Sequence, residues 1–213
     1  MPQKTVEAFL VVSTNPFASR QVRPGAIPFQ FSADQSAQQI IERLRQAKWR
    51  GAIVGPHGSG KSTLLETLSP LWPEQGLAEV RVTLHSDGQM TGQLRLPRKD
   101  EILVVDGLEQ LSWLVRRWFL WRFGMANRKV LATCHAEIGL PVVFATAPTA
   151  EMAAQLAEML QKESEPLVTA DDARMMCESN AADLRETLFQ LYHLYESRRK
   201  CGPDGESAAE NRR

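Results

Sequence analysis

The sequence predicts an α/β fold in which helices cover both faces of a mostly parallel sheet. Short apolar runs at 51–55, 101–106 and 129–133 are typical of buried strands, and stretches with helical periodicity separate them. Strands that alternate with helices form parallel sheets, because each crossover returns the chain to the same end of the sheet. Residues 166–198 carry helical patterns alone, so a small helical subdomain is expected after the sheet.

The composition is that of a globular protein with room for one large domain. The chain has 213 residues, of which 43% are hydrophobic, and its 25 Lys and Arg residues balance its 25 Asp and Glu residues. A dedicated nucleic-acid or polybasic membrane binder would carry a basic excess, so nucleic acid is not the expected partner. Neither a membrane-spanning run nor a signal-peptide pattern is found, and a cytoplasmic protein without membrane insertion is expected. Three widely spaced cysteines indicate neither a zinc site nor a disulfide framework.

Residues 1–31 are predicted to be loop-rich, because they contain Pro16, Pro24, Gly25 and Pro28. A helix follows that ends near Trp49, because its apolar residues recur at helical spacing, and Ser32 or Asp34 is expected to cap it. After the strand at 51–55, a Leu-rich helix begins at Lys61 and ends near residue 68, before two prolines.

The later elements follow the same patterns. The run at 101–106 is continuously apolar before its final carboxylate, which is typical of a strand covered on both faces. The remaining strands are predicted at 80–84, 129–133 and 141–145, and the remaining helices at 108–127, 149–162, 170–178 and 181–198.

Eight consecutive residues fit the pattern G-x-x-x-x-G-K-[ST] between a strand and a helix. Glycines permit close approach to a ligand, and the N–H groups of the loop and helix start face anionic phosphates. The lysine adds a positive charge for the β- and γ-phosphates, and the serine hydroxyl suits Mg²⁺. The motif resembles Walker A of P-loop NTPases, which implies ATP and Mg²⁺ as ligands. Its residues are Gly55, Pro56, His57, Gly58, Ser59, Gly60, Lys61 and Ser62, followed by Thr63.

A carboxylate closes the apolar strand downstream of this motif. Asp106 stands where Walker B places a metal-binding carboxylate, so Ser62 and Asp106 are the predicted Mg²⁺ residues. The alternative for Asp106 is a cap for the following helix. The run from Val105 to Glu109 resembles the D-G-L-[DE] Walker B of signalling-type ATPases, which makes Glu109 a candidate base. Its alternative is a first-turn glutamate favoured by the helix dipole.

Two polar residues lie at the carboxyl end of the strand predicted at 129–133. Thr133 is its last residue, and His135 follows two positions later. In a parallel sheet, the carboxyl ends of the strands face the ligand. Thr133 resembles the polar sensor of AAA+ proteins, and His135 resembles the switch histidine of ABC-type ATPases, so both are catalytic candidates. A loop-start threonine and a surface histidine are the alternatives. Cys134 between them is interpreted as a small buried residue.

Residues 45–146 together resemble the additional-strand division of P-loop NTPases, and most closely a small AAA+-like ATPase. This resemblance implies a three-layer P-loop NTPase fold. It also implies an N-terminal segment near the adenine, at 1–31. The stretch from Ala182 to Glu186 is similar to the G-N-x-R-E stretch of the AAA+ helical lid, which makes Arg185 a phosphate-contacting candidate. A plain helical arginine paired with a carboxylate is the alternative.

The predicted organisation is therefore a core at 32–165, a lid-like subdomain at 166–198 and a disordered tail at 199–213. Only five residues separate His135 from Pro141, too few for the helix that carries an arginine finger in ring-forming AAA+ proteins. A self-assembling ring motor is therefore not expected.

The helix predicted at 108–127 is rich in tryptophan and arginine. One face, expected against the sheet, contains Leu108, Leu111, Val115, Trp118 and Phe119. A second face contains Trp113, Arg117 and Trp121. Three interpretations stay open for it, namely burial on two sides with arginines at the rim, a protein interface, or base stacking on nucleic acid.

The function predicted first is a Mg²⁺-dependent ATPase that acts as a regulatory or partner-remodelling switch through an unidentified protein partner. A small-molecule kinase is the first alternative, with Asp87 as the carboxylate that activates the acceptor. A nucleotide-binding scaffold without hydrolysis is the second alternative, because the assignment of Glu109 decides whether hydrolysis is efficient.

Overall fold

A sheet lies at the centre of the computed structural model, which describes residues 15–32, 34–85 and 89–201. Within these ranges the sheet has six strands in the order β3-β2-β4-β5-β1-β6. Every neighbouring pair is parallel except β2 and β3. The predicted α/β class with a mostly parallel sheet is confirmed. The strands are β1 (Arg50–Val54), β2 (Ala78–Leu84), β3 (Met90–Thr91), β4 (Glu101–Asp106), β5 (Lys129–Cys134) and β6 (Val142–Ala145).

Seven α-helices are found in the same ranges. They are α1 (Ser19–Val22), α2 (Ala37–Gln46), α3 (Lys61–Leu68), α4 (Trp113–Met125), α5 (Ala150–Leu160), α6 (Ala170–Ser179) and α7 (Leu184–Cys201). Single 3₁₀ turns add Ser69–Leu71, Pro73–Gln75 and Leu108–Gln110. Because α7 continues to residue 201, residues 199–201 are helical, and the rest of the predicted tail lies outside the described residues.

The start of α2 differs from the sequence prediction. Ser36, rather than Ser32 or Asp34, caps the helix, and its hydroxyl accepts a hydrogen bond from the Gln39 N–H. The Gln39 side chain in turn accepts from the Ser36 N–H, which completes a capping box. These two hydrogen bonds satisfy the backbone N–H groups of Ser36 and Gln39, so they fix the helix start at Ala37.

Alternate side chains of β4 are buried on opposite faces of the sheet. Ile102 and Val104 belong to the apolar cluster that contains α2 and α3. Leu103 and Val105 belong to the cluster that contains α4. The sheet therefore lies between two helical layers, and the interior of β4 is apolar because neither of its faces meets water.

The helices that follow the sheet have a buried cluster of their own. Apolar residues of α5, α6 and α7 pack together, and Phe17 joins them from the N-terminal segment. The ring of Phe17 meets Tyr195 of α7 edge-on, with centroids 6.0 Å apart. Asn15 fixes the same segment, because its side-chain amide donates to the Tyr192 carbonyl and the Glu196 carboxylate at 3.0 and 2.9 Å. The N-terminal segment is thus anchored on α7.

The buried face of α4 corrects a sequence prediction. Phe119 and Phe123 stack with centroids 4.1 Å apart and are buried against the sheet. Val115 and Trp118, predicted on the face of Phe119, are instead 44% and 57% exposed. The predicted helix began at Leu108, whereas a 3₁₀ turn and an extended residue precede the observed helix. This break changes which side of the helix faces the sheet.

The connection from His135 to Pro141 contains no helix, in agreement with the prediction. It passes over β1 and enters β6, which pairs with the far side of β1. A short connection suffices because β6 begins opposite Ala52, in the middle of β1. The end of β5 lies opposite Val54 and the start of β6 lies opposite Ala52. The connection therefore has to return along the strand direction by only about two residues, or ~7 Å.

Among the described helices, none combines the length and the apolar content that crossing a bilayer requires.

We expect Leu103→Ala to lower the free energy of unfolding by about 3 kcal/mol. The side chain is fully buried between the sheet and α4, and its truncation leaves a cavity. Leu114→Ala is the matched control, since Leu114 is 69% exposed and its loss should change stability by less than about 0.5 kcal/mol. Urea unfolding followed by circular dichroism measures both. Equal losses for the two variants would contradict the described packing.

Candidate nucleotide-binding cleft

A tight loop joins the carboxyl end of β1 to the first residue of α3. Gly58 and Gly60 in this loop have φ angles of +66° and +85°, which residues with a side chain rarely adopt. Gly60 directly precedes α3, so the loop leads into the helix N-terminus. The first N–H groups of a helix lack intrahelical partners and lie at the positive end of its dipole. The loop and the helix start therefore suit an anion.

Gly55 begins the loop at a point of close contact. A Cβ at this position would lie 1.8 Å from the hydroxyl oxygen of Thr146, so no larger residue fits. That hydroxyl is also 2.6 Å from the Ser59 hydroxyl, and both residues are buried. Thr146 thus supports the loop from the end of β6. The sequence analysis missed it, although a polar residue directly after a predicted parallel strand is the signal that locates it.

The side chain of Lys61 is folded back into the loop. Its Nζ donates hydrogen bonds to the carbonyl oxygens of Gly55 and Pro56 at 2.8 and 2.7 Å, and the residue is 8% exposed. Burial lowers the pKa of this ammonium group, while the carboxylates of Glu109 and Asp106 oppose that change. A buried positive charge held by neutral carbonyl groups lies at the centre of the predicted phosphate site.

Thr133 connects the carboxyl ends of β4 and β5. Its hydroxyl donates to Asp106 Oδ1 at 2.7 Å and accepts from the Gly107 N–H at 2.8 Å. Thr133 is fully buried, and its two partners are half-buried at the wall of the cleft. The hydroxyl therefore orients the carboxylate of Asp106 and the turn that follows it. This contact brings together two residues that the sequence analysis selected separately.

Glu109 and His135 form a second contact at the same edge of the sheet. Nε2 of His135 lies 3.0 Å from Oε1 of Glu109. Oε2 of Glu109 is buried and has no hydrogen-bond partner among the described residues. The ring of His135 also meets His57 of the loop edge-on, with centroids 5.8 Å apart. One carboxylate oxygen is thus held in place while the other is left for a water or a ligand.

These residues surround one cleft of about 860 Å³. That volume lies within the range of pockets that bind cofactor-sized molecules. The predicted site residues that line the cleft are His57, Gly58, Ser59, Gly60, Lys61, Ser62, Thr63, Asp106, Glu109, Thr133, His135 and Arg185. Apolar and aromatic groups complete the wall, among them Phe17, Ile27, Phe29, Leu188, Phe189 and Tyr192.

The lid-like helices reach the loop through Asp183. Oδ1 of Asp183 accepts from the N–H groups of Arg185 and Glu186 at 2.9 and 3.1 Å, so it caps α7. The same oxygen lies so close to Gly58 that a Cβ there would be 1.8 Å from it. This contact places Arg185 on the cleft, where its charge contributes to lowering the pKa of Lys61. Among the described residues, Arg185 forms no ion pair with a carboxylate.

Ser62 and Asp106 both line the cleft, as a Mg²⁺ site requires. Within the described ranges, no group of three or more His, Cys, Asp and Glu side chains is arranged to hold a metal ion. Nucleotide-bound Mg²⁺ does not need such a group, because one or two protein oxygens are completed by phosphate oxygens and water. The carboxylate of Asp106 and the hydroxyl of Ser62 are oxygen groups of the type that such a metal binds.

Cys134, between Thr133 and His135, is not part of the cleft wall. Cys134 is fully buried, and burial raises the pKa of its thiol to about 11, in agreement with a packing role. Asp87, the carboxylate of the kinase alternative, lies outside the described residues.

We expect Thr133→Val to lower the free energy of unfolding by about 1–2 kcal/mol, since it removes the hydrogen bonds to the Asp106 carboxylate and from the half-buried Gly107 N–H. Valine is similar in shape, so the loss reports hydrogen bonding rather than a cavity. Thr133→Ser retains the hydroxyl and is the control, with a smaller expected loss. Chemical denaturation measures the three proteins. A valine variant as stable as the wild type would exclude the bridging role.

No protein-family model matches this chain, and no curated protein matches it either. What the cleft binds is therefore inferred from its own residues. Their arrangement is a glycine loop at a helix N-terminus, a buried ammonium group, and two carboxylates at and just after the carboxyl end of β4.

Proposed function

We propose that the protein binds ATP with Mg²⁺ and hydrolyses it as a regulatory switch. The observation that carries the proposal is the buried ammonium of Lys61, which is bound by carbonyl groups of a glycine loop and faces a cleft that also contains Asp106 and Glu109. A nucleoside triphosphate requires positive charge and backbone N–H groups for its phosphates, and carboxylates for its metal and its attacking water. This cleft contains all of these groups.

Phosphate binding follows from the loop geometry. The β- and γ-phosphates would lie against the loop N–H groups and the first turn of α3. Lys61 would then exchange its bonds to the Gly55 and Pro56 carbonyls for phosphate oxygens, which are stronger partners because they are charged. The low pKa that burial imposes on the ammonium would be reversed by the bound anion.

The metal would be held by Ser62 and Asp106. When bound, Mg²⁺ would neutralise charge on the β- and γ-phosphate oxygens. Thr133 would keep the Asp106 carboxylate oriented through its 2.7 Å hydrogen bond.

Hydrolysis would use Glu109 to orient the attacking water. The water oxygen forms a bond to the γ-phosphorus while the bond between that phosphorus and the β–γ bridging oxygen breaks, so ADP leaves with the bond's electron pair. The proton of the water passes to the Glu109 carboxylate and then to solvent. The unpartnered Oε2 of Glu109 is the acceptor, and His135 holds the other oxygen.

The strand order supports the family resemblance. Strand β5 lies between β1, which precedes the loop, and β4, which ends at Asp106. This is the arrangement that the additional-strand division implies. The wall formed by residues 17–30 and α7 supports an adenine site, because aromatic and apolar groups there suit a planar base.

The regulatory part of the proposal rests on the position of α4. Only Leu111 and Ser112 separate the 3₁₀ turn that carries Glu109 from the first residue of α4. A change in the contacts of Glu109 on nucleotide binding would therefore act directly on this helix.

We expect Lys61→Ala to weaken ATP binding at least 100-fold, because the charge-assisted bonds to phosphate are lost. Lys162→Ala, which removes an exposed lysine from the C-terminal end of α5, is the control and should bind ATP as the wild type does. Isothermal titration with ATP and Mg²⁺ measures both. Unchanged affinity in Lys61→Ala would exclude the proposed phosphate site.

We expect Glu109→Gln to bind ATP with wild-type affinity and to release phosphate at least 100-fold more slowly. Glutamine keeps an oxygen that accepts from His135 but does not accept the proton of the water. Phosphate release and ATP binding are measured on the same preparations, without any acceptor.

Three results would each contradict a part of this proposal. Equal, near-zero rates in wild type and variant would favour the scaffold without hydrolysis. Equal, substantial rates would exclude Glu109 as the base. Turnover only in the presence of an added metabolite would favour the small-molecule kinase.

A further inference from the structure

The outer side of α4 exposes a continuous apolar surface. The exposed residues include Leu114 at 69%, Trp118 at 57%, Trp121 at 61% and Met125 at 73%. Their spacing of four, three and four residues places them on one line along the helix. We call these four residues the α4 ridge. The sheet covers the opposite face of α4, and the described part of the chain leaves the ridge exposed.

Arginines lie on both sides of the α4 ridge. At 100° per residue, Arg117 falls on one flank and Arg122 on the other. Both are exposed, and neither forms an ion pair with any carboxylate among the described residues. Trp113, 63% exposed, extends the apolar surface beside Arg117, whose guanidinium lies 5.9 Å from its ring centroid. The helix contains no acidic residue.

The residue types favour a protein over the other possible occupants. Tryptophan, methionine and arginine are enriched in the centres of protein interfaces, whereas lysine is depleted there. The basic residues of α4 are all arginines. A basic excess that would attract nucleic acid or an anionic bilayer is absent from the sequence, whose formal net charge is zero.

A second copy of the chain fits poorly for reasons of charge. Pairing two α4 ridges antiparallel would bring the flanking arginines of both copies together, and the helix offers no carboxylate to neutralise them. Like charges across an interface disfavour the complex. A complementary partner must instead bring negative charge to both flanks.

We propose that the α4 ridge binds an amphipathic helix of another protein, with apolar residues at helical spacing and carboxylates on both sides of them. The apolar line would pack against Trp118 and Trp121, and the carboxylates would pair with Arg117 and Arg122. The ridge is exposed in the described structure, so its test does not require nucleotide.

The test uses two fluorescein-labelled synthetic helical peptides of 18 residues. Both carry leucines at positions i, i+4, i+7 and i+11, and their flanking residues are glutamates in one and lysines in the other. Fluorescence polarisation in 150 mM salt measures binding to the full chain. We expect the acidic peptide to bind saturably and at least tenfold more tightly than the basic one.

Variants then locate the site. Trp118→Ala with Trp121→Ala, and separately Arg117→Glu with Arg122→Glu, should each weaken the acidic peptide at least tenfold. Met175→Ala is the control, because Met175 on α6 is 63% exposed and should not matter. All changed side chains are exposed, and circular dichroism checks that each variant keeps its fold.

Four results would overturn the proposal. The first is absence of saturable binding by the acidic peptide, and the second is equal affinity for both peptides. The third is tight binding to vesicles with 30% phosphatidylglycerol that Trp118→Ala with Trp121→Ala abolishes. The fourth is a dimer in sedimentation that the same variant dissociates. The last two would assign the ridge to a bilayer or to a second copy.

Discussion

The ammonium group of Lys61 is buried at the point where β1, the glycine loop and α3 meet, and the proposed site is arranged around it. Burying a positive charge costs free energy unless polar groups compensate for it. The loop compensates with the carbonyl oxygens of Gly55 and Pro56 at 2.8 and 2.7 Å. Carbonyl dipoles stabilise the charge only in part, which leaves a site that an anion would complete. Burial accordingly lowers the pKa of Lys61, while the carboxylates of Glu109 and Asp106 act in the opposite direction.

The parallel sheet brings the other groups to this charge. Because β4, β5 and β1 run in the same direction, their carboxyl ends lie at one edge of the sheet. Asp106 ends β4, Glu109 and His135 follow β4 and β5, and the Thr133 hydroxyl links Asp106 to the Gly107 N–H. Residues of α5 and α7 close the cleft on the other side, where Asp183 meets Gly58. The same fold that buries the apolar strands thus concentrates the polar residues in the cleft.

Much of the fold could be predicted from the sequence, and most of the predicted site residues line one cleft. The strand at 101–106 and the helix at 61–68 were predicted at their observed bounds, since a continuous apolar run and a glycine–lysine boundary are strong local signals. The exposed side of α4 could not be predicted. The 3₁₀ turn at Leu108–Gln110 changes the helical phase, and nothing in the apolar pattern marks that break.

Contacts between distant segments were also missed, for a physical reason. The approach of Thr146 to Gly55 joins β6 to β1 across 91 positions of the chain, and that of Asp183 to Gly58 joins α7 to the loop across 125. Neither leaves a local periodicity. Each depends on how the helices and strands pack, which a single sequence does not specify position by position.

The proposed site depends on the loop from Gly55 to Ser62 binding the phosphates of ATP. A crystal structure with Mg²⁺ and a non-hydrolysable ATP analogue would test this assignment. We expect the β- and γ-phosphates within hydrogen-bonding distance of the loop N–H groups, with Nζ of Lys61 moved from the Gly55 and Pro56 carbonyls to phosphate oxygens. An analogue bound elsewhere, or bound in the cleft while Lys61 keeps both carbonyl bonds, would contradict the assignment.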